Sequence, residues 1–371
     1  NTVVGFNDGV VGHTDLYIWG PQLEEGTTAS SFVANTTGSP KFITGATFGP
    51  RVPMILVEPS ATNNVTNTDF STWANSSSND SAGSAAPYGN FTKITPSGNS
   101  SDAGVYKFIS LASGALTQSC YAKFAGKHLA VLSAGKWTGY FNLQSGTATG
   151  TGASIQPVGN GVFRCSVTGT DASASTHAIK FQVIDAVGSN SVTETGVDGV
   201  EIAMPQVEQG AVPTSYIPTS GSTVTRAKDD LVISGSDFSD FYNQSEGTVY
   251  VEYLPNKEQG QEAPFSIVGV SANDRIYTST DGQLVVFTAG AYQGAIDVGD
   301  AIQGEVNLAC YTFKTNSFQG ALGGLLSAQD TTMTMPTLQK FNVGSNYNNT
   351  ANHLNGHIKR LIYWPYHSDS L

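Results

Sequence analysis

Apolar and polar residues alternate with a period of two through much of this chain, and a helical period of 3.6 is hard to find anywhere in it. "HLAVLSAG" (128–135), "GVFRCSVTG" (161–169), "AIKFQVIDA" (178–186), "GTVYVEYLP" (247–255) and "HIKRLIYW" (357–364) each read as a strand with one buried and one wetter face. Clusters of Gly, Asn, Ser and Thr separate them, so the pattern predicts many short strands joined by tight turns. That is the signature of an all-β fold built from β-sandwiches.

Two segments end in nearly the same words. Ile18 to Phe32 ("IWGPQLEEGTTASSF") and Ile202 to Tyr216 ("IAMPQVEQGAVPTSY") align without a gap and agree at six of fifteen positions, each closing on an aromatic. An internal repeat of this kind marks equivalent places in two modules. If "PQVEQG" closes a module over 53–220, then 1–35 are the closing strands of a preceding copy, whose beginning is expected upstream of Asn1. The shared Pro suits a strand end or an edge, where a missing N–H does no harm, and the shared Gly suits the exit turn. Residues 36–52, within "NTTGSPKFITGATFGPR", read as a linker. "PTSGSTVTRAKDDL" (218–231) is a second joint, which leaves 221–371 for another sandwich. At 371 residues the chain exceeds what one core usually serves.

Composition narrows the partners. Only 12% of residues are charged and the net charge is −12, so no basic footprint exists for phosphate and neither nucleic acid nor an anionic membrane surface is an expected partner. No apolar run reaches the length of a membrane span, so no membrane insertion is expected. Cys120, Cys165 and Cys310 are odd in number and sit in strand-like sequence; they read as buried free thiols, with a Cys120–Cys165 pair across adjacent strands left open.

"MILVEPSATNNVTNTDFSTW" (54–73) resembles the opening of jelly-roll modules, similar to carbohydrate-binding modules, in bacteriophage virion and tail-fibre-type proteins. The match is carried by Leu56, Glu58, Thr62, Asn63, Phe70 and Trp73; Ala61 and Asn64 depart from the usual Arg and Leu. "SCYAKFAG", "YFNLQSGT" and "GNGVFRCSVTGT" follow in the family's order. "PTSYIPTSGSTVTRAKDDL" looks like that family's joint, and the stretch from "GTVYVEYLPN" to "LNGHIKRLIYWP" resembles a concanavalin-A-like, laminin-G-like sandwich. The resemblance implies a jelly roll followed by a concanavalin-A-like sandwich, placed on the exterior of a phage particle. It implies other virion proteins and host cell-surface glycans as partners and, by analogy with phage fibres, a homotrimer, although no heptads enforce one. Two further roles stay open: a capsid or tail decoration protein, and a polysaccharide depolymerase.

Chemistry is sparse. Glycoside hydrolysis needs a pair of carboxyl groups at set separation, and no Glu-x-Asp strand motif occurs; Glu252 stands alone in "VYVEYLP". No Gly-x-Ser-x-Gly, P-loop or His-Glu-x-x-His motif is present, so no enzyme activity and no catalytic residue is expected. His353 and His357 flank Asn355-Gly356, a hairpin signal, and are expected on exposed hairpin strands rather than on a metal. No cofactor is expected; calcium, with Asp229, Asp230, Asp274 or Asp281 as donors, lacks a dense acidic cluster to support it. Sugar binding needs aromatic faces beside amides. Trp137 and Tyr140, on opposite phases of "GKWTGYFNLQSG", and Tyr292 and Tyr347, expected in Gly- and Asn-rich loops, are the candidate glycan contacts. Trp73, Phe141 and Phe163 read as core.

Overall fold

The computed structural model describes residues 14–16, 54–86, 89–256, 260, 262–347, 352–369 and 371. Among them regular structure is almost entirely strand, with the four-residue helix Ser236–Ser239 as the exception. The all-β expectation holds, and the strands form two compact units. One is Ser60–Ala227; the other is Lys228–Leu371 with the described part of Val52–Pro59 and the strand Thr14–Leu16.

Pairing sets where one unit gives way to the other. Ile55–Val57 runs antiparallel to the start of Gly356–Trp364, with Ile55 opposite Ile358, so the chain up to Pro59 belongs to the C-terminal unit. Val224–Arg226 pairs with Ala61–Asn63, which carries the first unit on to Ala227 rather than 220. Of the segment 1–35, only Thr14–Leu16 is described. Its backbone also lies antiparallel to Gly356–Trp364, with Leu16 opposite Leu361; the other closing strands expected there, and the 36–52 linker, lie outside the described residues.

The first unit is two six-stranded antiparallel sheets. One runs Thr147–Thr149, Trp137–Asn142, His128–Ser133, Ser175–Ile184, Gly104–Leu111, Ala74–Ser76; the other runs Ala153–Gly159, Val162–Asp171, Gly114–Ala125, Gly199–Gln209, Asn90–Pro96, Ser78–Ala85. The inward phases meet as Val105, Ile109, Leu129, Val131, Phe141, Ile179, Phe181 and Val183 against Leu116, Cys120, Cys165, Val167, Val200 and Ile202. Phe70, Trp73 and Phe181 close one region of this core with ring centroids 5.2 to 6.0 Å apart, an aromatic arrangement that adds to the area each ring removes from water. Phe141 is fully buried and Phe163 packs on the core from the side. Cys165 lies directly opposite Cys120 in the strand register, and both are free thiols.

The "PQVEQG" segment leaves its strand through Gly210, at φ 132°, as the exit turn requires, but its proline sits elsewhere than expected. Pro205 lies inside the strand Gly199–Gln209, not at its end, where the register slips between Ala203 and Gln206. A bulge is the interior position that tolerates a missing N–H. Met204 adopts φ 55° there. Beyond the bulge the free strand edge is satisfied by side chains: Asn63 Oδ1 accepts from Val207 N at 3.1 Å, and Asn63 Nδ2 donates to Pro205 O and Ile217 O. Gln206 and Glu208, both buried, then hold the chain that follows. Gln206 Oε1 accepts from Ile217 N at 2.7 Å, and Glu208 Oε1 accepts from Thr214 N at 2.5 Å.

The second unit stacks two more antiparallel sheets. Gly356–Trp364, Glu246–Pro255, Asn307–Lys314, Ser317–Leu322 and Leu325–Leu326 follow one another in the first, with Thr14–Leu16 and Ile55–Val57 on the outer side of Gly356–Trp364. The second runs Val232–Ser234, Lys340–Val343, Phe265–Val268, Arg275–Thr278, Gln283–Thr288, Ala291–Asp297. Val249, Val251, Tyr253, Tyr311 and Phe313 pack between the sheets against Phe265, Ile267, Ile276, Leu284, Val286 and Phe341.

His353 and His357 are not on an exposed hairpin. His353 is buried and bridges Ala263; His357 lies in the strand Gly356–Trp364, opposite Leu56 on one side and Leu254 on the other. Asn355 does take a positive φ of 42°, so the local turn signal is real. The turn admits the chain into a strand flanked on both sides, instead of folding it back on its neighbour. Burial holds both imidazoles below their ordinary values.

Candidate functional site

Trp137 and Tyr140 occupy opposite faces of one strand, as their phase requires. Trp137 points inward. Its ring covers Gly169, where a Cβ would stand 2.2 Å from the indole, and it lies 5.4 Å from the His177 ring. Tyr140 points outward and packs on Ala130, Leu132 and Ile184, with its hydroxyl 3.0 Å from Asn190 Oδ1. The same outer face carries two aromatics absent from the sequence candidates, Tyr106 and Phe108, with centroids 5.7 Å apart and Phe108 exposed. Lys180 stands opposite Tyr106 in register and pairs with Asp102.

Tyr292 and Tyr347 come together with three residues that the sequence reading did not single out. In the second unit Phe287 is the register partner of both Arg275 and Tyr292, so Arg275, Phe287 and Tyr292 form one row across three strands. The Arg275 guanidinium carbon lies 3.4 Å from the Phe287 ring centroid and 4.2 Å from that of Tyr347. Tyr277 stands beside them, 5.4 Å from Tyr347, and Phe287 meets Tyr292 edge to face at 5.5 Å. Desolvation pushes the Tyr277 phenol up against the opposing pull of Arg275. Tyr292 is 61% exposed, a large aromatic surface held by a strand pair and not by a loose loop.

The signal for this cluster was present in "RIYT…GQLVVFTAGAY". Ile276, Leu284 and Val286 fix the inward phase, and Arg275, Tyr277 and Phe287 then share the outward one. It was hidden because a period-two reading assigns an aromatic to the core by default.

The carboxylates do structural work. Glu252 is buried on the outer face of the other sheet, where Lys359 Nζ lies 2.6 Å away, Arg360 3.6 Å, and the Tyr250 hydroxyl donates to it at 3.0 Å. Burial works to raise this carboxyl, and those three partners together hold it below its ordinary value. Asp229 accepts from Glu58 N and Asp274 from Ala289 N. Among the described residues no three His, Cys, Asp or Glu side chains gather where a metal ion would sit.

No family model matches the chain, and no curated protein matches it. Several solved structures align with it at low identity. A mutant of NanB sialidase from Streptococcus pneumoniae aligns over 37% of this chain at 16% identity and TM-score 0.31, and the aligned part is a quarter of the sialidase chain. Domains LG4-5 of the mouse laminin alpha1 chain align over 88% of this chain and 97% of that one, at 10% identity and TM-score 0.27. The LG1-3 region of the laminin alpha2 chain aligns over 69% and 64%, at 11% identity and TM-score 0.28. The β-sandwich class rests on the sheets described above, not on these scores.

Proposed function

We propose that this chain is a non-catalytic glycan-binding protein of the exterior of a phage particle, an adhesin of a tail fibre or similar appendage. The observation that carries the binding role is the cluster around Arg275. Exposed Tyr292 offers a flat apolar face of the kind that stacks on a sugar ring, and Phe287, Tyr277 and Tyr347 hold the surrounding surface in place. The phage setting is supported by the "MILVEPSATNN" opening and the "TSYIPTSGSTVTRAKDDL" joint. One shallow site of this kind binds weakly, so adhesion would draw on several copies at once, as a homotrimer on a particle supplies.

Decoration of the shell is the second reading. Leu308, Leu325 and Leu326 are exposed on the sheet of the second unit that ends at Leu325–Leu326, an apolar surface suited to another virion protein.

The test is binding of the purified chain to intact host cells, run beside an assay for released reducing sugar. Saturable binding without sugar release is the expected result. Sugar release overturns the non-catalytic reading. Failure to bind cells, with affinity for particles stripped of this protein, transfers the assignment to decoration.

A further inference from the structure

Arg275 is an unusual cation in this chain. Acidic residues outnumber Lys and Arg by 29 to 17, yet no carboxylate among the described residues pairs with it, and its sequence neighbour Asp274 is turned to the Ala289 amide instead. Two rings stand against its guanidinium, with centroids 3.4 Å (Phe287) and 4.2 Å (Tyr347) from the central carbon. Cation–π contacts of this kind hold the guanidinium against the rings.

With two aromatic rings packed on the guanidinium carbon, a ligand meets this side chain through its N–H groups. Nη1 donates to Ala272 O; Nε is buried without a partner; Nη2 makes no hydrogen bond to a described residue. A planar fork is matched by a planar, two-oxygen acceptor, which is why Arg is the residue that recognises carboxylates in pairs of parallel hydrogen bonds. Lys340 adds a second cation on the same row of the sheet, which reads Lys340, Val268, Arg275, Phe287, Tyr292. Tyr292, at the end of that row, supplies the apolar platform.

We infer that this face selects a carboxylate-bearing sugar, a uronic acid unit whose ring stacks on Tyr292 while its carboxylate lies in the plane of Arg275. The inference rests on the glycan-binding reading above and names the chemical class that the site prefers. A sulfate ester also offers two oxygens to the fork and is the competing ligand that the test separates from a carboxylate.

Calorimetric titration of the full chain tests it with three probes at one fixed ionic strength: a linear oligogalacturonate, the same oligosaccharide with its carboxyls reduced to alcohols, and a sulfated neutral oligosaccharide of equal length. Wild type is expected to bind the uronate at least tenfold more tightly than its reduced form, and more tightly than the sulfated probe. Arg275→Gln is expected to bind uronate and reduced sugar alike, Arg275→Lys to keep only part of the preference, and Tyr292→Ala to lose both. Equal wild-type affinity for the uronate and its reduced form, stronger binding of the sulfated probe, or an undiminished preference in Arg275→Gln overturns the inference. Should Arg275→Gln fail to fold, Arg275→Lys carries the same test, and an unchanged preference there is the contradicting result. Binding of neutral sugars without any uronate preference removes this inference and leaves the glycan reading standing; no binding to any sugar removes both.

Discussion

Glu208 Oε1 accepts a hydrogen bond from the backbone N–H of Thr214 at 2.5 Å, inside a strand-to-loop corner where the carboxyl is fully buried. Its other oxygen is met by Gln206 Nε2 and by the Thr214 hydroxyl at 3.1 Å. Burial is the larger influence and pushes the acid up to about 7 from an ordinary 4.5, despite these donors and the nearby Arg164. When Glu208 is protonated, the Thr214 hydroxyl can turn and accept its proton, so the corner is satisfied in the neutral state.

A pH dependence follows with a definite sign. Between pH 4.5 and 7 the native state keeps a proton that the unfolded chain releases, so this group's contribution to stability is complete below pH 4.5 and falls as pH rises through 7. The loss amounts to about 3 kcal/mol. Urea unfolding of wild type and Glu208→Gln, compared at pH 5 and 8, should show the wild type losing more on the alkaline side. Parallel pH profiles for the two proteins would contradict the burial described here.

Removing the acceptor altogether is harsher. Glu208→Ala leaves the Thr214 amide and the Gln206 side chain unmatched in a dry site and should cost about 2–4 kcal/mol, whereas Glu208→Gln, which keeps a carbonyl, should cost less than half of that. Equilibrium denaturation of both variants at pH 5 checks the ranking.

The same corner marks how far the sequence could be read. The repeat of Pro, Gln, Glu and Gly in "PQLEEG" and "PQVEQG" announced an equivalent structural position, and the alternating strands announced sandwiches. What the letters did not disclose is that the outward phase holding Gln206 and Glu208 is itself buried, with Val207 facing the core and the chain at 214–217 covering the other side, because period-two reasoning leaves the outer face to solvent. One clue was available: Gly20 aligns with Met204, the residue at φ 55°, and a glycine there signals a left-handed backbone. Pro205 was misplaced for a related reason, since a bulge is a pairing defect and pairing is not local in sequence. His353 and His357 show the same limit: the turn at Asn355 and the strand over 357–364 were legible, and the strands that flank it, Ile55–Val57 and Glu246–Pro255, were not.

Trp137 and Gly169 should be energetically coupled. A methyl at Gly169 meets the indole at 2.2 Å, so Gly169→Ala should cost about 1–3 kcal/mol, and most of that penalty should vanish in a Trp137→Leu background. A double-mutant cycle on unfolding free energy reads the coupling directly; additive effects would mean that the ring can move aside without loss.

The thiols should divide by depth. Burial pushes Cys120 and Cys165 far above the ordinary thiol range, and pushes the partly exposed Cys310 up to about 11. Native protein treated with a thiol reagent at pH 8 should modify Cys310 alone, and slowly, while all three react once the chain is unfolded. Rapid native labelling of Cys120 or Cys165 would show that the first unit opens far more readily than its packing implies.

The account stands most directly on where sugars bind. A glycan array probed in parallel with wild type, Tyr292→Ala and Tyr140→Phe decides it. The expected result is a discrete set of glycans bound by wild type, bound equally by Tyr140→Phe, and lost or weakened at least tenfold in Tyr292→Ala. An empty array, or the same set bound undiminished by Tyr292→Ala, would contradict the assignment of glycan binding to the Arg275 cluster.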